Sequence, residues 1–118
     1  MTTLDELNRQ AREWDNRAMA AQGKGAQAFE RLLSLAETRD TGQTRSIAKF
    51  LAATYNGQAF SWNLFELRGL DVELGDDCLL VLDCLRWGKA NLYELVPNGH
   101  LRIEALIAEW GLRPACAE

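Results

Sequence analysis

Asp40-Thr41-Gly42-Gln43-Thr44-Arg45 is the segment of this chain whose residue types and spacing come nearest to a chemical site. A helix that starts just after a glycine, with hydroxyls and an arginine in its first turn, offers free amides and positive charge to a phosphate or carboxylate. Lys49, one turn beyond Arg45, adds a second cation on the same side. The segment has neither the lysine nor the spaced glycines of a phosphate-binding loop, so nucleotide hydrolysis is not supported. Thr41, Gly42, Gln43, Arg45 and Lys49 are therefore candidates for holding an anion or a partner. The competing, favoured reading is a capped turn between helices, with Arg45 bridged to an acidic residue.

A second cluster, Asp71, Glu73, Asp76 and Asp77, is acidic. Carboxylates can bind a divalent cation, but Asp76 and Asp77 are adjacent and diverge by about 100° around a helix. Negative charge in a first turn is also favoured by the helix dipole. Capping, with a pairing to Arg45, Lys49 or Arg68, is the favoured reading, and an acidic interaction surface is the functional alternative. His100, the single histidine, has no Ser or Cys nucleophile near it in sequence, and a solvent-facing or capping role is expected. Cys78, Cys84 and Cys116 lack metal-ligand spacing, and Cys78 and Cys84 project about 240° apart on one helix, so reduced, buried thiols are expected. No nucleophile–base pair or ligand set emerges, and the expectation is a non-enzymatic protein without a cofactor.

The elements that must position these residues are helical. Thr3 and Glu6 stand at capping-box spacing, and the helix they open carries Leu4, Leu7, Ala11, Trp14 and Ala18 in 3-4 alternation. That seam is too thin to fill a core. It reads as a semi-independent arm over residues 1–24, packed on the surface or paired with another copy of itself, and Gly23-Lys24-Gly25 is expected to end it. Trp14 is the best pointer to a protein interface. A second helix is predicted over 26–38, with Phe29, Leu32, Leu33 and Ala36 inward. A third is predicted over 43–55, with Asp40 and Gln43 at cap spacing and Asn56-Gly57 closing it in a left-handed conformation.

Phe60 to Leu70 reads as a short helix anchored by Leu64, Leu67 and Leu70, with Asn63 and Glu66 as its cap pair. Asp71 then caps a helix to Trp87 that is apolar nearly all round and so is expected at the centre of the fold. Leu92–Val96 is compatible with either strand or helix. In Pro97-Asn98-Gly99 the glycine is expected to take the positive dihedral of a turn. A last helix is predicted over Leu101–Trp110, followed by a loose tail over 113–118. The predicted architecture is a mainly α, single-domain bundle of about five helices, with residues 25–112 as its core domain.

The whole chain of 118 residues is 47% hydrophobic and 25% charged, an ordinary composition for a globular domain with enough apolar side chains to bury a core unaided. Its longest apolar run, Cys78–Leu82, falls far short of the roughly 20 residues of a membrane span. The polar, acidic N-terminus does not resemble a secretory signal, and a cytoplasmic location is expected. Residues 1–60 carry eight Lys/Arg against seven Asp/Glu, and residues 61–118 carry five against ten. The second half would repel phosphate backbones, so nucleic-acid binding is not favoured, and Trp14, Trp62, Trp87 and Tyr93 read as packing residues.

The segment from Asp40 to Leu82 resembles a proteobacterial family of unknown function whose members are typically encoded on integrative and conjugative elements and plasmids. The residues that carry the resemblance are Asp40, Thr41, Gly42, Gln43, Thr44, Arg45, Tyr55, Asn56, Leu67, Leu70, Asp71, Asp76, Asp77 and Trp110. The resemblance implies a genetic setting and no activity. Together these readings predict an interaction or regulatory protein of a mobile element, acting on a protein partner or on a second copy of itself. Two alternatives come from other classes: an acidic inhibitor of host defence, anti-CRISPR-like or mimicking DNA, and a nucleic-acid-binding accessory using Arg39, Arg45 and Lys49.

Overall fold

One unbroken helix, α1, runs Leu4–Thr38. Thr3 caps it as expected, its hydroxyl accepting from the Glu6 amide at 3.2 Å. The expected break at Gly23-Lys24-Gly25 does not occur, and Gly25 serves a different purpose. It is buried, and a Cβ placed on it would run into Cys84 Cβ, with Cys84 Sγ at 3.0 Å and the Leu80 carbonyl oxygen at 3.2 Å. The glycine is a contact point between two helices, and the single glycine penalty of about 1 kcal/mol is outweighed by the tertiary packing around it. From Leu4 onward, the arm expected over residues 1–24 thus continues without a break into a longer helix.

The computed structural model describes residues 3–114; the expected tail lies outside them from residue 115 onward, as does Cys116. The other elements are α2 (Gly42–Tyr55), a 3-10 turn (Leu64–Gly69), α3 (Val72–Trp87), a second short 3-10 turn (Leu92–Glu94) and α4 (Gly99–Glu109). Among the described residues there is no strand, so Leu92–Val96 is a turn whose Leu92 and Val96 enter the core. The result is one mainly helical domain, 56 Å in its long dimension.

α3 runs antiparallel to α1. Asp77 meets Arg31, Cys84 meets Gly25, and Lys89, just past α3, lies 3.7 Å from Asp15. The α1 seam under α3 is built of Ala18, Ala21, Gly25 and Ala28, all buried, and small side chains there let the two backbones approach closely. α4 lies along the second half of α1. Trp110 Nε1 donates to the Ala36 carbonyl at 3.1 Å, and Ile103 and Leu106 are buried beside Phe29, Leu32, Leu33, Ile47, Phe50 and Leu51.

The helix at the centre is α1 and not α3. α1 supplies eight buried residues, whereas α3 buries only Cys78, Val81 and Cys84, with Leu79 56% and Leu85 44% exposed. Apolar residues all round a helix do not by themselves bring neighbours to every side of it. The expected helix over 60–70 is likewise reduced to the 3-10 turn; Leu64 is exposed, Leu67 and Leu70 pack on the core, and Asn63 accepts from the Phe65 amide at 2.9 Å.

Two expected left-handed positions also move. Asn56 ends α2 in an extended conformation, its Oδ1 taking the amides of Gln58 and Ala59. In the Pro97 turn Asn98 carries the positive φ of 58°, while Gly99 is required because a Cβ there would collide with the Tyr93 carbonyl.

Candidate functional site

The Asp40–Arg45 segment folds as a helix start in which the hydroxyls cap each other. Thr41 Oγ1 accepts from the Thr44 amide at 3.1 Å, and the Thr41 amide donates to Thr44 Oγ1 at 2.7 Å. The capping box is therefore Thr41 with Thr44, one residue later than the Asp40–Gln43 spacing suggested. Gln43 reaches across to the start of α3, where its Oε1 accepts from the Asp71 amide at 2.7 Å. Asp71 sits at the N-cap of α3 without a side-chain capping bond of its own, and its backbone amide is tied to Gln43.

Arg45 is exposed and forms no ion pair among the described residues, contrary to the bridge expected of it. Lys49 pairs with Glu66 at 3.2 Å. Arg45 and Lys49 share the rim of an open groove of about 420 Å³ with Arg113, over a floor that includes Ala52, Ala59, Phe60 and Leu112. Among the described residues no carboxylate lines this groove. Thr41, Gly42 and Gln43 do not contribute to it, so the structure divides the sequence motif into a capped turn and a cationic rim.

The acidic cluster is divided as well. Asp77 is held by Arg31 in a two-pronged contact, 2.8 and 3.1 Å, and none of Arg45, Lys49 or Arg68 reaches it. Arg68 instead stacks over Phe65, 4.8 Å from the ring centroid. Asp71, Glu73 and Asp76 remain exposed at the solvent side of the α3 start. Among the described residues no three His, Cys, Asp or Glu side chains gather as metal ligands. Cys78 and Cys84 are buried free thiols. Burial, with the neighbouring Asp77 charge, pushes the Cys78 thiol up to about 12, so it is not a nucleophile at neutral pH.

Two polar groupings escaped the sequence reading. Arg102 forks to Glu30 at 2.7 and 2.8 Å, to Glu37 at 2.7 and 3.0 Å, and touches Ser34. The legible signal was Glu30, Ser34 and Glu37 at 4-3 spacing, one polar stripe awaiting a cation. His100 lies exposed in a cluster with Tyr55, Tyr93 and Glu104; Tyr55 Oη is 3.2 Å from His100 Nδ1 and 3.3 Å from Glu104 Oε2. Here the signal was the i,i+4 spacing of His100 and Glu104. Both groupings join α4 to its neighbours.

The remaining feature is apolar. Leu4, Leu7 and Trp14 are 73%, 53% and 51% exposed, and Ala11 between them is exposed too. They share one stripe of α1 that continues into Ala18, Ala21, Gly25, Ala28 and Leu32, all buried. α3 covers the second part of the stripe and stops at Trp87, whose ring Arg17 approaches to 5.4 Å. The first part projects beyond the bundle, and none of the described residues covers it. Single exposed leucines are ordinary, but here three large side chains stand in register on one helix face and form a continuous exposed apolar stripe.

No helix of the described residues is long and apolar enough to cross a membrane. A model described as a family of unknown function (DUF7673) matches residues 26–111, most of the chain, and the chain belongs to that family. No curated protein and no solved structure matches it.

Proposed function

With membership of this family of unknown function as the premise, we propose that the chain is a non-enzymatic, cytoplasmic protein-interaction protein of a mobile genetic element, with a regulatory role. The observation that carries this reading is the bare apolar stripe Leu4–Leu7–Ala11–Trp14 on a helical arm that extends past its own bundle. The exposed carboxylates Asp71, Glu73 and Asp76 add an acidic surface at the far end of α3, which steers a basic partner and repels nucleic acid. The mobile-element setting rests on the sequence pattern from Asp40 to Leu82.

The arm is tested by capture. Immobilised full-length chain is compared with a Leu7→Asp, Trp14→Asp variant in extracts of the producing cell. Both side chains are more than half exposed, so the variant keeps its core and its circular dichroism. Capture of the partner is expected to fall at least about tenfold, a loss of two aromatic or aliphatic anchors each worth 1–2 kcal/mol. Equal capture by both proteins excludes the arm as the docking element.

A second reading has its own observation. Arg45, Lys49 and Arg113 around a groove that no carboxylate lines among the described residues would suit an acidic peptide or a short stretch of phosphate backbone. If the groove binds duplex nucleic acid, fluorescence anisotropy at 50 mM salt should detect it, and 200 mM salt should weaken it steeply, by roughly fortyfold for three phosphate contacts. Arg45→Glu should abolish it. A flat titration at 50 mM salt removes nucleic acid from consideration.

A further inference from the structure

The stripe on the arm is suited to one occupant in particular. From Ala18 to Ala28, under α3, the stripe is made of small residues, Ala18, Ala21, Gly25 and Ala28. Where α3 ends, it turns to Leu4, Leu7 and Trp14, with one small residue, Ala11, among them. Large side chains thus begin where the chain runs out of its own helices to cover them, which is the pattern of a seam continued by a helix from outside.

We infer that the outside helix is the same arm of a second copy, lying antiparallel, so that the protein forms a two-fold homodimer through residues 4–14. This rests on the interaction reading above and names its partner. An antiparallel arm centred between Leu7 and Ala11 sets Leu7 against the partner's Ala11 and Trp14 against the partner's Leu4. Large meets small in the inner layers, and two large apolar groups close each outer layer, as knobs-into-holes packing requires. The residues flanking the stripe are Asn8 and Gln10, each opposite its own counterpart, so no like charges face each other across the seam.

The lengths agree as well. Leu4 to Trp14 covers about 15 Å at about 1.5 Å per residue. The helical part of an incoming arm, which begins at Leu4, therefore reaches Trp14 and not Asp15 or Arg17, which are engaged by Lys89 and Trp87. The two bundles then lie at opposite ends of the paired arms and do not collide. A parallel pairing would bring both bundles to the same end and stack Trp14 on Trp14 and Ala11 on Ala11, leaving a gap beside a crowded layer.

Three turns of paired helix bury less than the roughly 1,200 Å² of a lasting complex, so the dimer is weak and concentration-dependent. Light scattering on the full chain from about 10 µM to 1 mM is expected to show the mass rising from 13.3 kDa toward twice that value, and Leu7→Asp with Trp14→Asp should hold it at the monomer. Orientation is read by mixing a Leu7→Cys chain with an Ala11→Cys chain, both carrying Cys116→Ser, under mild oxidation. The antiparallel seam predicts mixed disulfides in excess over Leu7→Cys homodimers. An excess of the homodimers overturns the antiparallel seam. A monomeric mass up to 1 mM overturns self-pairing altogether. In that event, loss of a different captured protein by the arm variant would leave the interaction reading standing, and no loss would end both.

Discussion

Replacing Gly25 with alanine is expected to destabilise the protein by about 2 kcal/mol, while the same change at Gly23, two residues away, is expected to stabilise it by about 0.5–1 kcal/mol. Both glycines lie inside α1, and in an isolated helix both substitutions would help, because glycine is about 1 kcal/mol worse than alanine in a helix interior. Nothing lies within 4 Å of a Cβ at position 23. At position 25 the new methyl would overlap Cys84 Cβ and press on the Leu80 carbonyl oxygen, 3.2 Å away. Both obstacles belong to or sit directly on the α3 backbone, so relief requires α1 and α3 to separate along a face lined by Ala18, Ala21 and Ala28. The lost contacts outweigh the gain in helix propensity. Urea unfolding followed by circular dichroism should place the two midpoints on opposite sides of the wild type. Cys84→Ala should not rescue Gly25→Ala, because the first atom met is the Cβ that alanine retains. Equal midpoints for the two glycine variants would show that the helices are farther apart than described.

Arg102→Ala is expected to cost about 2 kcal/mol at neutral pH, and much less in acid. The guanidinium makes charge-assisted, forked hydrogen bonds to Glu30 and Glu37, fastening α4 to α1. Loss of a fully buried partner of this kind costs about 3–5 kcal/mol. The side chains here are 22%, 38% and 31% exposed, so solvent screens part of the interaction and the lower figure applies. The pH dependence follows from Glu30, whose carboxyl is held below its ordinary value of 4.5, first by the Arg102 hydrogen bond and opposed by burial.

A depressed carboxylate contributes stability that is fully present above the unfolded value and is lost as pH falls through the folded one. The gap between wild type and Arg102→Ala should therefore be widest above about pH 5 and close progressively below about pH 4. Arg102→Lys, a point charge that cannot fork to two carboxylates, should fall between them. Denaturant midpoints at pH 7 and pH 3 check this. A gap of the same size at both pH values would mean that Arg102 acts through packing of its stem rather than through its charge.

The arm has a bearing on both experiments. Its first three turns are supported only from the Ala18 end, and a helix segment without tertiary cover is marginal in water. Gly25→Ala, by prising α3 from α1, would loosen the support on which the docking stripe is displayed, so weakened self-pairing should accompany the loss of stability.

By itself the sequence determined what depends on neighbours a few residues away. Thr3 with Glu6 announced the start of α1, the 3-4 run of Leu4, Leu7, Ala11 and Trp14 announced a narrow seam, and Ile47, Phe50 and Leu51 announced the inner face of α2. Those signals yielded a mainly α, single domain, and the same domain is in the structure. Tertiary structure decided everything that needed a distant partner. Gly25 reads locally as a breaker and is in fact the point of closest approach to Cys84, a distinction invisible until α3 lies across it.

Arg45 and Lys49 read as one motif with Thr41–Gln43, but chain folding set them beside Arg113 instead. α3 carries apolar residues on every side yet buries only one strip, because α1 is long enough to serve as the floor for all the other helices. Helix periodicity reports which face is apolar; only packing decides whether that face meets the protein's own core or waits for another chain.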